Sequence, residues 1–243
     1  MQYSLIKLRG WSIHAITASG ALVTLFAFYA IAQQELKLAL LLMLLTIIID
    51  AIDGPLARLW KVKHVVPNFD GALLDYIVDF SSWVLVPAFY LLCTHHLIPS
   101  PLNVMVSCMI VIASCYQFCC TDLKSTSSNF KRWPSAWSLL IILLALWDMP
   151  ALYNFLIITA CCILSFVPTY YSHPFQKNIF DKEWFLAPVM NGILIFSGIV
   201  FLISVLLGVL LYPTKFMALA VFQIAILITY TIFCLYGTYK NWN

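Results

Sequence analysis

A chain of 243 residues with 63% hydrophobic and only 9% charged residues falls outside the composition of soluble globular domains, which carry about 25% charged residues. Its solvent is lipid. The net charge of +3 is scattered over short loops with no basic amphipathic helix or RNA-binding signature, so nucleic acid is not an expected partner; anionic headgroups or a phosphate-bearing substrate are.

A hydrocarbon core of about 30 Å takes roughly 20 apolar residues per helical crossing. Eight apolar runs approach or meet that length: 11–31, 36–52, 71–93, 101–120, 134–146, 151–167, 187–211 and 216–236. The first follows Lys7 and Arg9, exceeds a signal-peptide core and is interrupted by Thr17 and Ser19, so it is expected to stay as a helix. The second ends in an Asp-rich stretch and the third opens on another. The fifth is short, and Pro150 divides it from the sixth, so these two read either as two crossings or as one hairpin that barely reaches the far face. The last two runs could form a lipid groove, a dimer surface or a shield. All eight are continuously apolar, whereas barrel strands would alternate over segments of about 10 residues. The expected fold is therefore all-α, a single polytopic transmembrane bundle over 1–243 with about eight helices.

Placing both termini in the cytoplasm puts eleven basic residues (Lys7, Arg9, Arg58, Lys61, Lys63, Lys124, Lys131, Arg132, Lys177, Lys182 and Lys240) on that side and leaves Lys37 and Lys215 opposite. The eight cysteines fall almost entirely inside apolar runs and none has zinc-site spacing with histidine, so they read as packing residues. His95 and His96 belong to an exterior loop and His64 to a cytoplasmic one.

Carboxylates inside membrane helices cost about 2.5–3.5 kcal/mol or more at the bilayer centre and persist with partners or ions. Four occur together here. Asp50 and Asp53 are i,i+3 at the end of the second run, and Asp75 and Asp79 are i,i+4 at the start of the third, so each pair shares a helix face. Four converging carboxylates repel unless positive charge compensates them. An all-oxygen donor set suits Mg²⁺ or Mn²⁺, and two such ions can clamp a displacement at phosphorus. Arg58 offers a fork for phosphate oxygens. Gly54 and Gly71 remove side chains where a phosphate or nucleotide approaches the backbone, and Pro55 frees the carbonyl of Ala51. Asp70, Asp122, Asp148 and Asp181 read instead as solvated loop or capping acids. A cation carrier would also use intramembrane Asp residues, usually at broken helices near the midplane rather than at one face.

The pattern Asp50-x-x-Asp53-Gly54-x-x-Ala57-Arg58 followed by Gly71-x-x-x-Asp75-x-x-x-Asp79 resembles the signature of the CDP-alcohol phosphotransferases, membrane enzymes that exchange CMP for an alcohol on a phosphatidyl group. The twelve residues from Leu59 to Asp70, longer than the spacer usual in that family, are similar to the bacterial phosphatidylcholine synthase branch. So are the segment 11–21, the Trp133-Pro134-Ser135-x-Trp137 sequence and Phe166-Val167-Pro168 with His173-Pro174, so that the resemblance covers the first 175 residues. It implies a six-helix catalytic core plus two further helices in an inner membrane, with the site on the cytoplasmic side. It implies transfer of the phosphatidyl group of CDP-diacylglycerol to choline with release of CMP. The roles it implies are Asp50, Asp53, Asp75 and Asp79 around two divalent ions, Mn²⁺ or Mg²⁺, with Asp79 also the base. Gly54, Ala57, Arg58 and Gly71 surround the nucleotide and its phosphates. Pairing into a homodimer is common among such enzymes.

Choline's quaternary ammonium is recognised by aromatic faces. Tyr76, Tyr116, Trp133, Trp137, Tyr170 and Tyr171 are the candidates, set against the ordinary tendency of aromatics to collect at membrane interfaces. Another acceptor (serine, inositol or glycerol phosphate) is the alternative within the same chemistry, and a cation transporter is the alternative outside it.

Overall fold

The computed structural model describes residues 2–120, 129–131, 133–168, 170–172, 187–214 and 216–242. Ten helices are described: α1 Gln2–Ala32, α2 Leu36–Leu59, α3 Val62–Val65, α4 Gly71–Asp79, α5 Val86–Cys93, α6 Leu102–Cys119, α7 Trp137–Trp147, α8 Ala151–Leu164, α9 Ala187–Leu211 and α10 Met217–Trp242. A π-helical turn, Phe80–Leu85, joins α4 to α5, making Gly71–Cys93 one continuous rod. Among the described residues three helices are long and apolar enough to cross a membrane, Ile6–Ala32, Gly71–Cys93 and Leu102–Cys119, and shorter apolar stretches occur in α7 to α10. Bulky apolar side chains coat the outside: Leu22, Leu25 and Phe26 of α1, Ile112 of α6, Leu152 of α8, Phe196 of α9 and Val221 of α10 are all exposed. An apolar exterior around helices that satisfy their own backbone is what a lipid solvent demands.

The helices differ from the expected runs at informative places. The second run does not stop at residue 52, because α2 continues to Leu59 with Pro55 inside it. Proline lacks an N–H and crowds the carbonyl four residues back, yet α2 runs on through that position. As a result Asp50, Asp53, Gly54 and Arg58 share one helix. The fifth run starts later than residue 134, since Trp133–Ala136 is not helical and Ser135 has φ 44°. Helix α7 itself has 11 residues, about 16 Å at 1.5 Å per residue. It is short because protein encloses it: Trp137, Ile141, Ile142 and Leu144 are fully buried, and α2, the π-turn, α5, α9 and α10 all pack on it. The all-helical architecture holds, with one small antiparallel pair added, β1 Asn129–Lys131 with β2 Tyr170–Ser172, in which Phe130 is opposite Tyr171.

Polar seams tie the bundle. Trp147 Nε1 donates to Gln223 Oε1 at 2.9 Å and Gln223 Nε2 to Ser204 Oγ at 3.3 Å, joining α7, α10 and α9. Such bonds contribute on the order of 0.6 kcal/mol each inside membranes, but they fix register where apolar packing alone would slide. Of the seven cysteines whose side chains are described, all free thiols, Cys161 and Cys162 are buried as packing residues, whereas Cys108, Cys115 and Cys119 are exposed.

Close approach of α1 to α4 holds the third rod in place. A Cβ on Gly20 would stand 2.9 Å from Val78 Cγ1, between Asp75 and Asp79 in sequence, so α1 can lie this close only without a side chain there. Gly20→Ile is expected to lower the melting midpoint of the detergent-solubilised protein by several degrees, overpacking of this kind costing about 1–3 kcal/mol. Gly192, with nothing within 4 Å of its added Cβ, should accept isoleucine without change in the same thermal assay.

Candidate metal centre

Three chain segments meet at one end of the bundle: the last turns of α2, the first turns of α4 and the α3 connection between them. Lys61 enters α3 in the left-handed region with φ 49°. Asp70 then caps α4, its Oδ1 accepting from the backbone N–H groups of Ala72 at 3.1 Å and Leu73 at 3.0 Å. That cap, as expected of a loop acid, fixes where α4 starts and hence the depth of Asp75 and Asp79.

Carboxylate oxygens of Asp50, Asp75 and Asp79 lie within 4.8 Å of one another, all three residues half-buried. The side chains of Asp79 and Trp83 lie beside that of Asp50. Carboxylates this close hold a proton or a cation between them. The donor set is all oxygen and anionic, which fits a hard divalent ion. Asp53 differs from the expected quartet. It is buried, only 4% exposed, and acts on Asp50 and Asp79 through its charge, yet it stands outside the group of three. Three residues along an α-helix amount to about 4.5 Å of rise and a rotation about 60° short of a full turn. Asp53 is therefore on the same side of α2, one turn nearer the helix end.

Two glycines are expected from the sequence to make room for a nucleotide, and the structure separates them. At Gly54 only the Arg58 guanidinium lies near an added Cβ, at 3.4 Å for Nη1. That is ordinary contact, so the protein itself does not require glycine there, and the guanidinium fork folds back over an open strip of helix. Ala57 is half-buried between them. At Gly71 the space is already taken. An added Cβ would fall on Cε1 of His14 and 3.0 Å from its Nδ1. The clearance at Gly71 is thus taken up by His14 of α1 in this structure. His14 is buried with Nε2 unpartnered, and its ring lies 4.5 Å from that of Phe69, with Trp11 beside both.

Among the aromatic candidates, Trp137 is excluded from a choline site by its burial, 0% exposed, with Nε1 donating to Ser114 Oγ at 2.7 Å. Trp133 is half-buried against the core. Tyr76 and Tyr116 keep exposed rings, Tyr76 edge-on to Phe118 and Tyr116 4.9 Å from Phe166. Tyr170 and Tyr171 lie in β2, and their side chains are outside the described residues. Sequence reasoning missed two contributors, His14 and Trp83. Trp83 had a usable signal, since Asp75, Asp79 and Trp83 repeat at i,i+4 along one face.

Residues 14–169, from the histidine on α1 past the end of α8, match the family described as CDP-alcohol phosphatidyltransferase. The chain belongs to the CDP-alcohol phosphatidyltransferase family. A phosphatidylcholine synthase of Legionella pneumophila is 36% identical over 181 residues, 74% of this chain and 71% of that protein. One from Legionella bozemanae is 32% identical over 219 residues, 90% and 99% of the two chains. A phosphatidylcholine synthase of Borreliella burgdorferi is 34% identical over 197 residues, 80% of each. As a member of the CDP-alcohol phosphatidyltransferases the chain is a transferase embedded in a membrane, and its three-carboxylate cluster has the chemistry to hold a divalent ion.

Gly71→Ala should lower both melting midpoint and phosphatidyltransferase activity through the collision with His14. The double variant His14→Ala/Gly71→Ala, which removes the opposing ring, should recover the melting midpoint; no recovery in a thermal double-mutant cycle would return Gly71 to a ligand-clearing role.

Proposed function

We propose that this chain is a phosphatidylcholine synthase, transferring the phosphatidyl group of CDP-diacylglycerol to choline with release of CMP. The observation that carries the chemistry is the convergence of Asp50, Asp75 and Asp79 within 4.8 Å; the name of the acceptor draws its support from relatives called phosphatidylcholine synthase over most of the chain. We place the site on the cytoplasmic side of a bacterial inner membrane, in a bundle that crosses it eight times. That topology leaves eleven of the thirteen Lys and Arg residues inside.

Two divalent ions, Mg²⁺ or Mn²⁺, would supply charge neutralisation at the diphosphate, with Asp50, Asp75 and Asp79 holding one and Asp53 helping to hold the second. The remaining work falls to the protein. Arg58 grips phosphate oxygens with a planar fork that lysine cannot reproduce, and the bare strip at Gly54 lets the diphosphate lie against α2. Asp79 accepts the choline hydroxyl proton as that oxygen bonds to the phosphorus carrying diacylglycerol. The bond from this phosphorus to the CMP oxygen breaks, and CMP leaves with the electron pair. Helix-borne residues hold the partners in line, which is where most phosphoryl-transfer catalysis resides. The exposed rings of Tyr76 and Tyr116, at the ends of α4 and α6 nearest the site, offer faces for the quaternary ammonium at about 0.5–2 kcal/mol each.

Purified protein given CDP-diacylglycerol and Mn²⁺ should release CMP with choline and with none of serine, inositol or glycerol phosphate. Release with one of those instead of choline would overturn the acceptor, and release with none of the four would overturn the enzyme reading, leaving cation flux as the assay to run. Chelation should abolish turnover and added Mn²⁺ restore it. Asp79→Asn should reduce turnover by about 10²–10⁴-fold at unchanged melting midpoint, whereas Cys119→Ser, at an exposed position, should leave turnover unaltered.

A further inference from the structure

The π-turn Phe80–Leu85 begins at the residue after Asp79 and separates the carboxylate-bearing α4 from α5, which packs on α6 and α7. Its cause is Pro87. That residue has no N–H to offer and crowds the carbonyl of residue 83, so α-helical bonding cannot run straight through it. The ladder widens instead, and Val86 N–H bonds to Ser81 O, five residues back. Closing i to i+5 rather than i to i+4, the turn takes in one residue more than an α-turn, and so sets how far the face bearing Asp79 is rotated from the face that α5 buries. Ser82 is left with a bare carbonyl: its fourth neighbour, Val86, is engaged with Ser81, and its fifth, Pro87, has no donor. Ser138 Oγ of α7 fills the gap, donating to Ser82 O at 2.5 Å in a fully buried position. Ser82 Oγ in turn donates to Asp79 O at 3.5 Å, so that hydrogen bonds run from α7 through the π-turn to the backbone of Asp79. The same stretch of α7 is anchored to α6 through Ser135 Oγ to Gln117 Oε1 at 2.5 Å and Trp137 Nε1 to Ser114 Oγ at 2.7 Å, which makes Ser138 a fixed point.

We infer that Ser138 is a positioning residue for the reaction, its buried hydroxyl holding the π-turn in register and so setting the direction in which Asp79 presents its carboxylate to Asp50 and Asp75. Asp79 is the last residue of α4, so any shift of the π-turn moves it first, whereas Asp75 lies a full turn inside that helix. Without the Ser138 hydroxyl the Ser82 carbonyl would be a buried acceptor with no donor, at a cost of about 1–3 kcal/mol. In an interior without water that cost is relieved only by a change of register that brings the carbonyl another donor, and such a change rotates the backbone beside Asp79. A hydroxyl suits the task, because it reaches from a neighbouring helix to a carbonyl that no backbone N–H can serve. Phosphoryl transfer tolerates little displacement: a misplacement of about 1 Å by a remote change can cost on the order of 10²-fold in rate.

This inference rests on the proposal that the carboxylate cluster binds a divalent metal and that Asp79 takes the acceptor's proton, and the experiment keeps the two apart. Mn²⁺ binding to the purified, substrate-free protein is measured by electron paramagnetic resonance, beside steady-state CMP release with choline at saturating Mn²⁺. Ser138→Ala should lower kcat about tenfold or more, leave KM for choline near its wild-type value and weaken Mn²⁺ binding several-fold. Trp147→Phe, which loses a bond to Gln223 at the far end of the same helix, should lower the melting midpoint while keeping wild-type kcat and Mn²⁺ affinity. Should Ser138→Ala fail to fold, Ser138→Cys keeps nearly the same size with a weak donor and should show the same losses. Unaltered kcat or unaltered Mn²⁺ affinity in a folded Ser138 variant would overturn the inference. Equal losses in Trp147→Phe would overturn it too, since catalysis would then follow the stability of α7 and not the π-turn. Absence of Mn²⁺ binding and of CMP release in the wild type would overturn the reading beneath it.

Discussion

Like charges drawn out of water repel, and three carboxylates within 4.8 Å are held together against that repulsion only by a rigid frame and by whatever cation or proton lies between them. Most of the local architecture reads as that frame. α2 continues through Pro55 rather than ending before it, so Asp50, Asp53 and Arg58 cannot move independently. Asp70 fixes the start of α4, and α1 presses Gly20 against Val78 and His14 against Gly71, setting α4 at one height and distance from α2. The π-turn then anchors the far end through Ser138. A site placed on helix faces in this manner is stiffer than one built on loops, and phosphoryl transfer depends on position more than on intrinsic reactivity.

Division of labour along the bundle follows the solvent. Large apolar side chains are exposed along α1, α6, α8, α9 and α10, while buried polar side chains collect where helices face each other. Buried serines, Asn103, Gln117, Asn154 and Gln223 bond mostly to backbone carbonyls or to one another, as an interior without water requires. α9 and α10 join this network through Ser204 and Gln223 rather than leaning loosely on it. They are integrated with α7, the same helix that braces the π-turn, so the last two helices and the site share a structural element.

Much of this architecture is legible in the chain itself. Carboxylate spacing announces two helix faces, and the spacer with its capping acid announces the turn between them, because these depend on local periodicity. Contacts between distant segments are not legible. Gly71 carries no mark in sequence to distinguish clearance for a ligand from clearance for His14, 57 residues earlier. Trp137 looks like any other interfacial tryptophan until its burial against Ser114 excludes it from recognition. Asp53 falls away from the others by the rotation of a three-residue step, a difference too fine for a pattern that records only shared faces. The π-turn escapes a reading of the sequence since Pro87 is equally a kink or a helix start; only Ser138, more than fifty residues later, decides what the freed carbonyl does.

Diffraction from crystals soaked in Mn²⁺ tests the central claim most directly. Anomalous density should appear bounded by the carboxylates of Asp50, Asp75 and Asp79 at about 2.0–2.2 Å from their oxygens, and should vanish in crystals of Asp50→Asn protein. Anomalous density elsewhere in the bundle, or its persistence at this position after that substitution, would contradict the account.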